Sequence, residues 1–307
     1  MDYTLHQLKI FYKISQVQSV TKAAEELFLT QPAVSIQLKK FQDQFSVPLF
    51  EVVGRQLYIT DFGKEIALTA EKILNEVEAI NYKTLTYKNQ LAGRLKVSVV
   101  STGKYVMPYF LSEFIYSNPG VDLVMDVTNK SRVIDSLEQN EVDFSLVSVV
   151  PDQLKADRVP LLKNKLYLVG SPQLKLEATE KKMGFLKKHP LIYREEGSAT
   201  RNAMEEFILS KSISTYKKLE LTSNEAVKQA VIAGLGYSIM PLIGLRNELK
   251  NHQLEIIPIK GLPITTQWNL IWMRSKNLSP VALAYLEFVR ERKQNLVDEY
   301  FGWYENY

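Results

Sequence analysis

The most constraining stretch of this 307-residue chain is Ser19 to Phe45, SVTKAAEELFLTQPAVSIQLKKFQDQF, whose apolar spacing favours two short helices joined by a tight turn. Ala23, Ala24, Leu27 and Phe28 recur at helical spacing, and the two alanines leave room for another helix to come close. Leu29 and Thr30 interrupt that pattern. Thr30 can cap a second helix starting near Gln31, and Pro32 falls in its first turn, where a missing N–H is no loss. Val34, Leu38, Phe41 and Phe45, spaced by four, three and four residues, then form one apolar stripe. The other face carries Pro32, Ser35, Ile36, Lys39, Lys40 and Asp43, with Gln31 and Gln42 on its edge. A face that is short and polar at its start and cationic further along fits a DNA major groove, where the first turns touch base edges and lysines reach phosphates.

The flanking residues extend this unit. Leu5, Leu8, Tyr12 and Ser15, with Phe11 alongside, mark a first helix that packs under the pair. Pro48 and Leu49 lead into a hairpin with Gly54-Arg55 in its turn, and Leu57 and Ile59 alternate with Tyr58 and Thr60 on the return strand. That hairpin is a wing, and Arg55 at its tip would reach a minor groove or a phosphate. The run AAEELFLTQPAVSIQLKKF, followed by Leu49-Phe50, Gly54-Arg55 and Leu57 to Thr60, resembles the winged helix-turn-helix of the LysR-type transcriptional regulators. The match is dense over residues 1 to about 62 and extends by layout to the whole chain. Ile36 stands where that family often has a basic residue, Gln42 where it often has Glu, and Glu51-Val52 where an Arg is usual. The resemblance implies sequence-specific binding of double-stranded DNA, with Gln31, Pro32, Ser35, Ile36, Lys39, Lys40 and Arg55 as the DNA-binding residues.

From Asp61 to about Ala92 runs one long proline-free helical pattern in which Ile66, Ala70, Ile73, Val77, Ile80, Thr84, Tyr87 and Leu91 step alternately by four and three. A 3.5-residue period of this length predicts a coiled coil between two chains, and the alternative is an amphipathic helix lying on its own domain. Roughly 28 residues would span about 42 Å, more than one small domain covers. Regulators of the resembled family dimerise through such a helix. A homodimer is therefore expected here, a homotetramer through the effector domains, and RNA polymerase is a further candidate partner.

After Gly93 the pattern becomes strand, turn, helix, repeated: strands at Leu95–Val100, Val121–Val127 and Val142–Val150, helices at Pro108–Tyr116 and Val133–Gln139. A second set follows from Leu166, and Trp268–Met273 and a helix at Val281–Arg292 close the chain. The expected fold is α/β: a winged helix-turn-helix (1–60), a linker helix (61–92) and a two-lobed effector domain (93–297) similar to periplasmic solute-binding proteins. Lobe one would hold about 93–162 and 266–297, lobe two about 163–265, and 298–307 would form an aromatic tail that packs on the domain or mediates assembly. Four strand-to-helix turns bring short polar residues toward an interlobe cleft: Ser101 to Lys104, Thr128 to Ser131, Gly197 to Arg201, and Thr222 to Asn224. Each alone is an ordinary helix cap. Together, Ser101, Thr102, Lys104, Asn129, Thr200, Arg201 and Asn224 suit a small anionic effector, since helix N-termini and nearby cations attract carboxylate or phosphate. Ser101 to Tyr105 and the run EEGSATR also resemble the branch of the family that controls carbon-fixation operons.

Composition narrows the alternatives. Residues 1–92 hold ten Lys and Arg against ten Asp and Glu, so the formal charge of +4 lies beyond them, and the DNA expectation rests on pattern rather than on charge. Cysteine is absent, which excludes disulfides, zinc–cysteine sites and thiol sensing. His6, His189 and His252 are far apart, and no P-loop, nucleophile elbow or metal-spaced cluster occurs. Gly234-Leu235-Gly236 follows a helix and precedes a strand, the reverse of the dinucleotide-binding order. No catalytic residue, metal or cofactor is therefore expected. No apolar run reaches about 18 residues and no export signal opens the chain, so a cytoplasmic, non-membrane protein is expected. The alternatives to a DNA-binding regulator are a cytoplasmic solute-binding protein or an enzyme on the same two-lobed fold.

Overall fold

The computed structural model describes residues 2–54, 56–87, 90–174, 186–212 and 217–307, and divides into two compact units, Met1–Gln90 and Leu91–Tyr307.

In the first unit, α1 (Leu5–Val17), α2 (Val20–Glu26) and α3 (Gln31–Gln42) precede the antiparallel hairpin of β1 (Phe50–Val53) and β2 (Gln56–Ile59), and α4 (Asp61–Tyr87) follows. Each of the first three helices starts on a hydroxyl. Thr4 forms a reciprocal capping box with Gln7, Ser19 accepts from the Lys22 amide, and Thr30 accepts from the Ala33 amide with Pro32 in the first turn. Two apolar clusters hold the unit. Leu8, Phe11, Phe41, Leu49 and Ala70 form one, and Ile10, Ile14, Ala23, Ala24 and Val34 form the other. The stripe of α1 is thus broader than its sequence spacing suggested, since Ile10 and Ile14 serve a second neighbour while Leu5 is exposed.

Phe28 corrects the expected packing face of α2. The helix ends at Glu26, and Phe28 takes a left-handed conformation (φ 55°) with its ring 95% exposed. The chain must reverse direction there, and a left-handed residue does so at a cost of about 1–2 kcal/mol for a non-glycine. Phe45 lies beyond the end of α3, half-buried against Tyr3, Phe41 and Phe62.

The start of α4 is fixed by close approach. The Thr60 hydroxyl accepts from the Gly63 amide at 2.9 Å, and a Cβ at Gly63 would lie 2.1 Å from the Leu49 carbonyl oxygen, so only glycine fits. The helix then has two characters. Ile66, Ala67, Ala70 and Leu74 pack into the unit's own core, and Glu71 accepts from the Tyr12 hydroxyl at 2.6 Å. Beyond them Ile73 is 37% and Ile80 59% exposed, and with Lys72, Glu76 and Val77 they line an open apolar groove. The side chains of Thr84 and Tyr87 lie outside the described residues. The helix does not run to Ala92 as the sequence suggested: Ala92 opens a strand, and Leu91 packs on the core of the second unit.

The second unit is built on a mixed sheet. Its strand β3 (Ala92–Val100) lies between β4 (Gly120–Thr128) and β5 (Phe144–Val147) and is parallel to both. Helices α5 (Met107–Ser117) and α6 (Lys130–Glu138) make the two crossovers. Strands β6 (Ala156–Gly170) and β11 (Ile264–Met273) run antiparallel along each other, with a register shift between Gln267 and Asn269. On one side of that shift β11 pairs with β5, and on the other β6 pairs with β9 (Ser238–Pro241) and with β10 (Glu255–Ile256). A parallel pair, β7 (Pro190–Arg194) and β8 (Lys217–Leu221), joins through a bridge from Leu191 to Tyr237 and carries α7 (Ala199–Ser210) and α8 (Asn224–Ile232). The short α9 (Arg246–Lys250) precedes β10.

The last helix, α10 (Pro280–Phe301), runs nine residues past Arg292 and continues into a 3-10 turn. Phe301 and Tyr304 are buried in the unit's core, and the Lys165 ammonium donates to the carbonyls of Tyr304 and Tyr307 at 3.0 Å each. The aromatic end of the chain therefore packs on its own unit. No helix among the described residues is long and apolar enough to cross a membrane.

Candidate functional site

Two surfaces stand out, one in each unit. On α3, Val34 and Phe41 are buried while Gln31, Pro32, Ile36, Lys39 and Lys40 are exposed and Ser35 is half-exposed. The Gln31 side-chain amide donates to the Ser35 hydroxyl at 3.1 Å, one turn along, so the two polar groups at the start of the helix orient each other. Gln42 has a different task. Its carbonyl oxygen accepts from the Leu49 amide at 2.7 Å and its amide donates to the Val47 carbonyl, tying the end of α3 to the approach of the hairpin. Arg55 lies outside the described residues.

In the second unit, β4 and β5 lie on opposite sides of β3, so the chain reverses its direction of winding there. A crevice opens beyond the carboxyl ends of strands at such a switch point. Ser101 and Thr102 follow β3, Asn129 and Lys130 follow β4, and Ser148 follows β5. Arg194 ends β7 opposite them, and Glu195, Ser198, Ala199 and Thr200 lead into α7. All of these line one cleft. Its free volume, about 20 Å³, admits roughly one water. Thr102, Ser148, Ser198, Thr200 and Arg194 are all buried, an unusual density of polar groups.

Four of the residues named from sequence, Ser101, Thr102, Asn129 and Thr200, meet in this cleft. Three others are placed elsewhere. Lys104 is exposed and lies over the Tyr105 ring, 5.1 Å from its centroid. Arg201 is buried, but its guanidinium is engaged by Glu205 at 2.9 Å, Glu220 at 2.7 Å and the Arg194 carbonyl at 3.1 Å. Burial opposes its charge, yet the bonds to Glu205 and Glu220 prevail and hold its pKa above the ordinary arginine value. It is a structural cation. Asn224 is buried at the start of α8, outside the cleft lining, beside the Tyr105 hydroxyl.

The residue that sequence reasoning missed is Arg194. It is 4% exposed, and its guanidinium meets both oxygens of Glu195 at 2.7 Å and donates to the Ser101 hydroxyl, across the cleft, at 3.2 Å. The available signal was its place at the end of an apolar strand, LIYR, directly before the EEGSAT turn. A second tie crosses near the cleft: the Tyr105 hydroxyl donates to Glu225 at 3.3 Å. Burial raises the Tyr105 pKa, and the Glu225 carboxylate adds to that, keeping this phenol a donor. Beside it Lys228 is pulled down by burial but held above its usual value by Glu248 and Glu225, at 2.7 and 3.0 Å. Among the described residues no group of His, Cys, Asp and Glu is placed to hold a metal.

Comparison with known proteins matches each unit to a family. Residues 5–64 match the family described as bacterial regulatory helix-turn-helix protein, lysR family, and residues 88–294 match the LysR substrate binding domain. The chain is 36% identical over 288 residues to the HTH-type transcriptional activator CmpR of Synechocystis sp., covering 93% of this chain and 94% of that one. It is 35% identical over 291 residues to the RuBisCO operon transcriptional regulator of Allochromatium vinosum, covering 94% and 96%. Among solved structures, the regulatory domain of Synechocystis CcmR in complex with 2-PG is 31% identical with a TM-score of 0.62, covering 66% of this chain and 98% of that one. Full-length CbnR complexed with its target DNA shares the fold, with a TM-score of 0.61 at 18% identity over 94% of this chain and 99% of that one. A helix-turn-helix unit followed by a two-part α/β unit, matched over more than nine-tenths of their length by such relatives, places this chain in the LysR family of bacterial regulatory proteins.

Proposed function

We propose that this LysR-family DNA-binding regulator responds to a small oxyanion held in the cleft between the carboxyl ends of β3, β4, β5 and β7. The observation that carries this reading is Arg194, a buried guanidinium bonded to the Ser101 hydroxyl in a cleft also lined by Thr102, Ser148, Ser198 and Thr200. A planar fork of N–H donors with hydroxyls around it suits carboxylate or phosphate. The 2-PG complex of CcmR, and the carbon-fixation relatives, make 2-PG the first candidate to test.

On the DNA side, Gln31, Pro32, Ser35 and Ile36 address base edges, Lys39 and Lys40 reach phosphates, and Arg55 belongs to the wing. Two chains pair through the second half of α4, where Ile73, Val77 and Ile80 form the open apolar groove. A ligand bridging Ser101 or Thr102 on one side and Arg194 or Thr200 on the other favours one angle between the two halves of the effector unit. In an oligomer that angle alters the spacing of paired recognition helices, hence the fit to two half-sites. A tenfold shift in DNA affinity requires about 1.4 kcal/mol of preference for one arrangement.

Calorimetry of the full-length protein against a panel of phosphorylated and carboxylated metabolites, 2-PG included, tests the site. Thr102→Val removes one cleft hydroxyl without changing shape and is expected to lower both anion affinity and the DNA response. Binding restricted to neutral or aromatic compounds, or equal binding to Thr102→Val, would refute this placement.

A further inference from the structure

Arg194 is already paired with a carboxylate, and that carboxylate belongs to its neighbour in the chain. The Glu195 oxygens meet Nε and Nη2 of Arg194 at 2.7 Å each, the two-pronged geometry in which a free carboxylate or phosphate would bind. We propose that Glu195 is a built-in competitor: it occupies the place on Arg194 that the effector oxyanion takes, and the effector binds by displacing it. This rests on reading the cleft as the effector site.

Three features separate this pair from a permanent structural bridge. First, side chains of adjacent residues in a strand point to opposite faces, so Glu195 reaches Arg194 only because the chain turns. The Ser198 amide closes that turn on the Glu195 carbonyl at 3.3 Å, and Gly197, at its third position, has φ +82° as a type II turn requires. A Cβ built on Gly197 would meet no atom within 4 Å, so the tip of the turn is not locked by packing.

Second, the partners differ in exposure. The Arg194 side chain is 5% exposed and that of Glu195 is 21% exposed. A buried guanidinium needs an anion at all times, whereas a carboxylate at the lip can return to water. Arg201 differs in the number of its anions rather than in their exposure: Glu196, Glu205 and Glu220 all lie within 3.6 Å, so the loss of one leaves it paired.

Third, the cleft is too narrow for a metabolite while Glu195 is in place, and the departing carboxylate vacates space at the cation. The Nη2 group that it releases is also the one bonded to Ser101, so exchanging the anion acts directly on a bond between the two sides of the cleft. The same geometry sets the ligand class. An effector must offer two acceptors in one plane to replace Glu195, which a halide cannot do.

The test is calorimetry of the full chain with 2-PG and, separately, with inorganic phosphate at constant ionic strength. Glu195→Gln and Glu195→Ala are compared with wild type and with Glu196→Gln, whose carboxylate is 89% exposed and lies 3.6 Å from Arg201 rather than on Arg194, and thermal melting verifies that each variant folds. The expected result is binding about tenfold tighter in both Glu195 variants, equivalent to roughly 1.4 kcal/mol of removed competition, and wild-type affinity in Glu196→Gln. Equal or weaker binding in the Glu195 variants overturns the competitor while leaving the cleft as the effector site. Absence of binding in every protein overturns the cleft reading and the competitor with it.

Discussion

The recognition helix and the effector cleft arrange polar groups in opposite ways. On α3 the groups proposed to meet DNA are exposed, and among the described residues Gln31 and Ser35 orient each other through one bond. In the cleft they are buried, and Arg194 is satisfied internally by Glu195 and Ser101. An exposed reader exchanges bonds to water for bonds to its partner, with no internal bond to break. A buried one must break an existing bond for each bond it makes, so its affinity is a difference between two similar terms. The first arrangement suits a surface that meets many sequences and prefers one, and the second suits a switch.

The sharpest way to break this comparison is Arg194→Gln. Removing one partner of a buried charge pair typically costs 2–5 kcal/mol. Anion binding should therefore fall by about two orders of magnitude or more, and calorimetry showing wild-type affinity would mean that the cleft cation is not the anchor. The same contrast between inside and outside exists along α4. Ala70→Glu places a carboxylate in the unit's own core, at several kcal/mol for an unpaired buried charge, and should melt the N-terminal unit. Ile80→Glu, ten residues later on the exposed stretch, should leave the circular dichroism of the unit intact and shift sedimentation from dimer to monomer. An unchanged oligomer would remove the second half of α4 from the dimer interface.

How much of this was legible follows from the same contrast. The helix-turn-helix was readable because its caps, turn and stripe are local: Thr30, Pro32, Val34 and Phe41 lie within twelve residues. Phe28 was misread because periodicity does not reveal which residue adopts the left-handed turn. The α4 seam followed a single period although its surroundings change along it, Ile66, Ala70 and Leu74 packing in the unit's own core while Ile73, Val77 and Ile80 line an open groove. In the cleft, Ser101, Thr102, Asn129 and Thr200 were readable as residues following strands. Arg201 looked like the natural cation beside them, yet three carboxylates within reach make it structural, and two of these, Glu205 and Glu220, lie on other turns or strands. Arg194 met Ser101 only through folding across 93 residues of sequence.

Smaller effects sharpen the picture on the DNA side. Gln31→Ala should cost roughly 1–3 kcal/mol at a specific site and less on random DNA, while Lys39→Ala should weaken both alike and reduce the salt dependence. Equal losses on both DNAs for Gln31→Ala, read by fluorescence anisotropy, would exclude it from base readout. The smallest effect concerns acid. Hydrogen bonding to Lys218, with Arg201 assisting, holds the Glu205 carboxyl below the usual range. Burial raises that of Glu225, but Gln229 and Lys228 more than offset it. Both carboxylates therefore contribute stability that is complete above their ordinary value of 4.5 and lost as pH falls through their lower folded values. Melting temperatures of the effector unit should be flat from pH 7 to about 5 and decline below that. A rise on acidification would contradict these assignments.

The paired strands β6 and β11 carry one more consequence. The ladder continues from Ala156 with Met273 to Leu166 with Ile264, interrupted only by the shift between Gln267 and Asn269, where Trp268 is fully buried. Two hydrogen-bonded strands resist stretching and sliding, and an irregularity of this kind bends the strand and increases its local twist. If the two halves of the effector unit turn against each other as proposed, this paired connection is a torsion bar rather than a slack tether. A ligand in the cleft would be registered as torque, returned elastically on release, and stiffness at Trp268 would govern how faithfully a few lost or gained bonds become rotation.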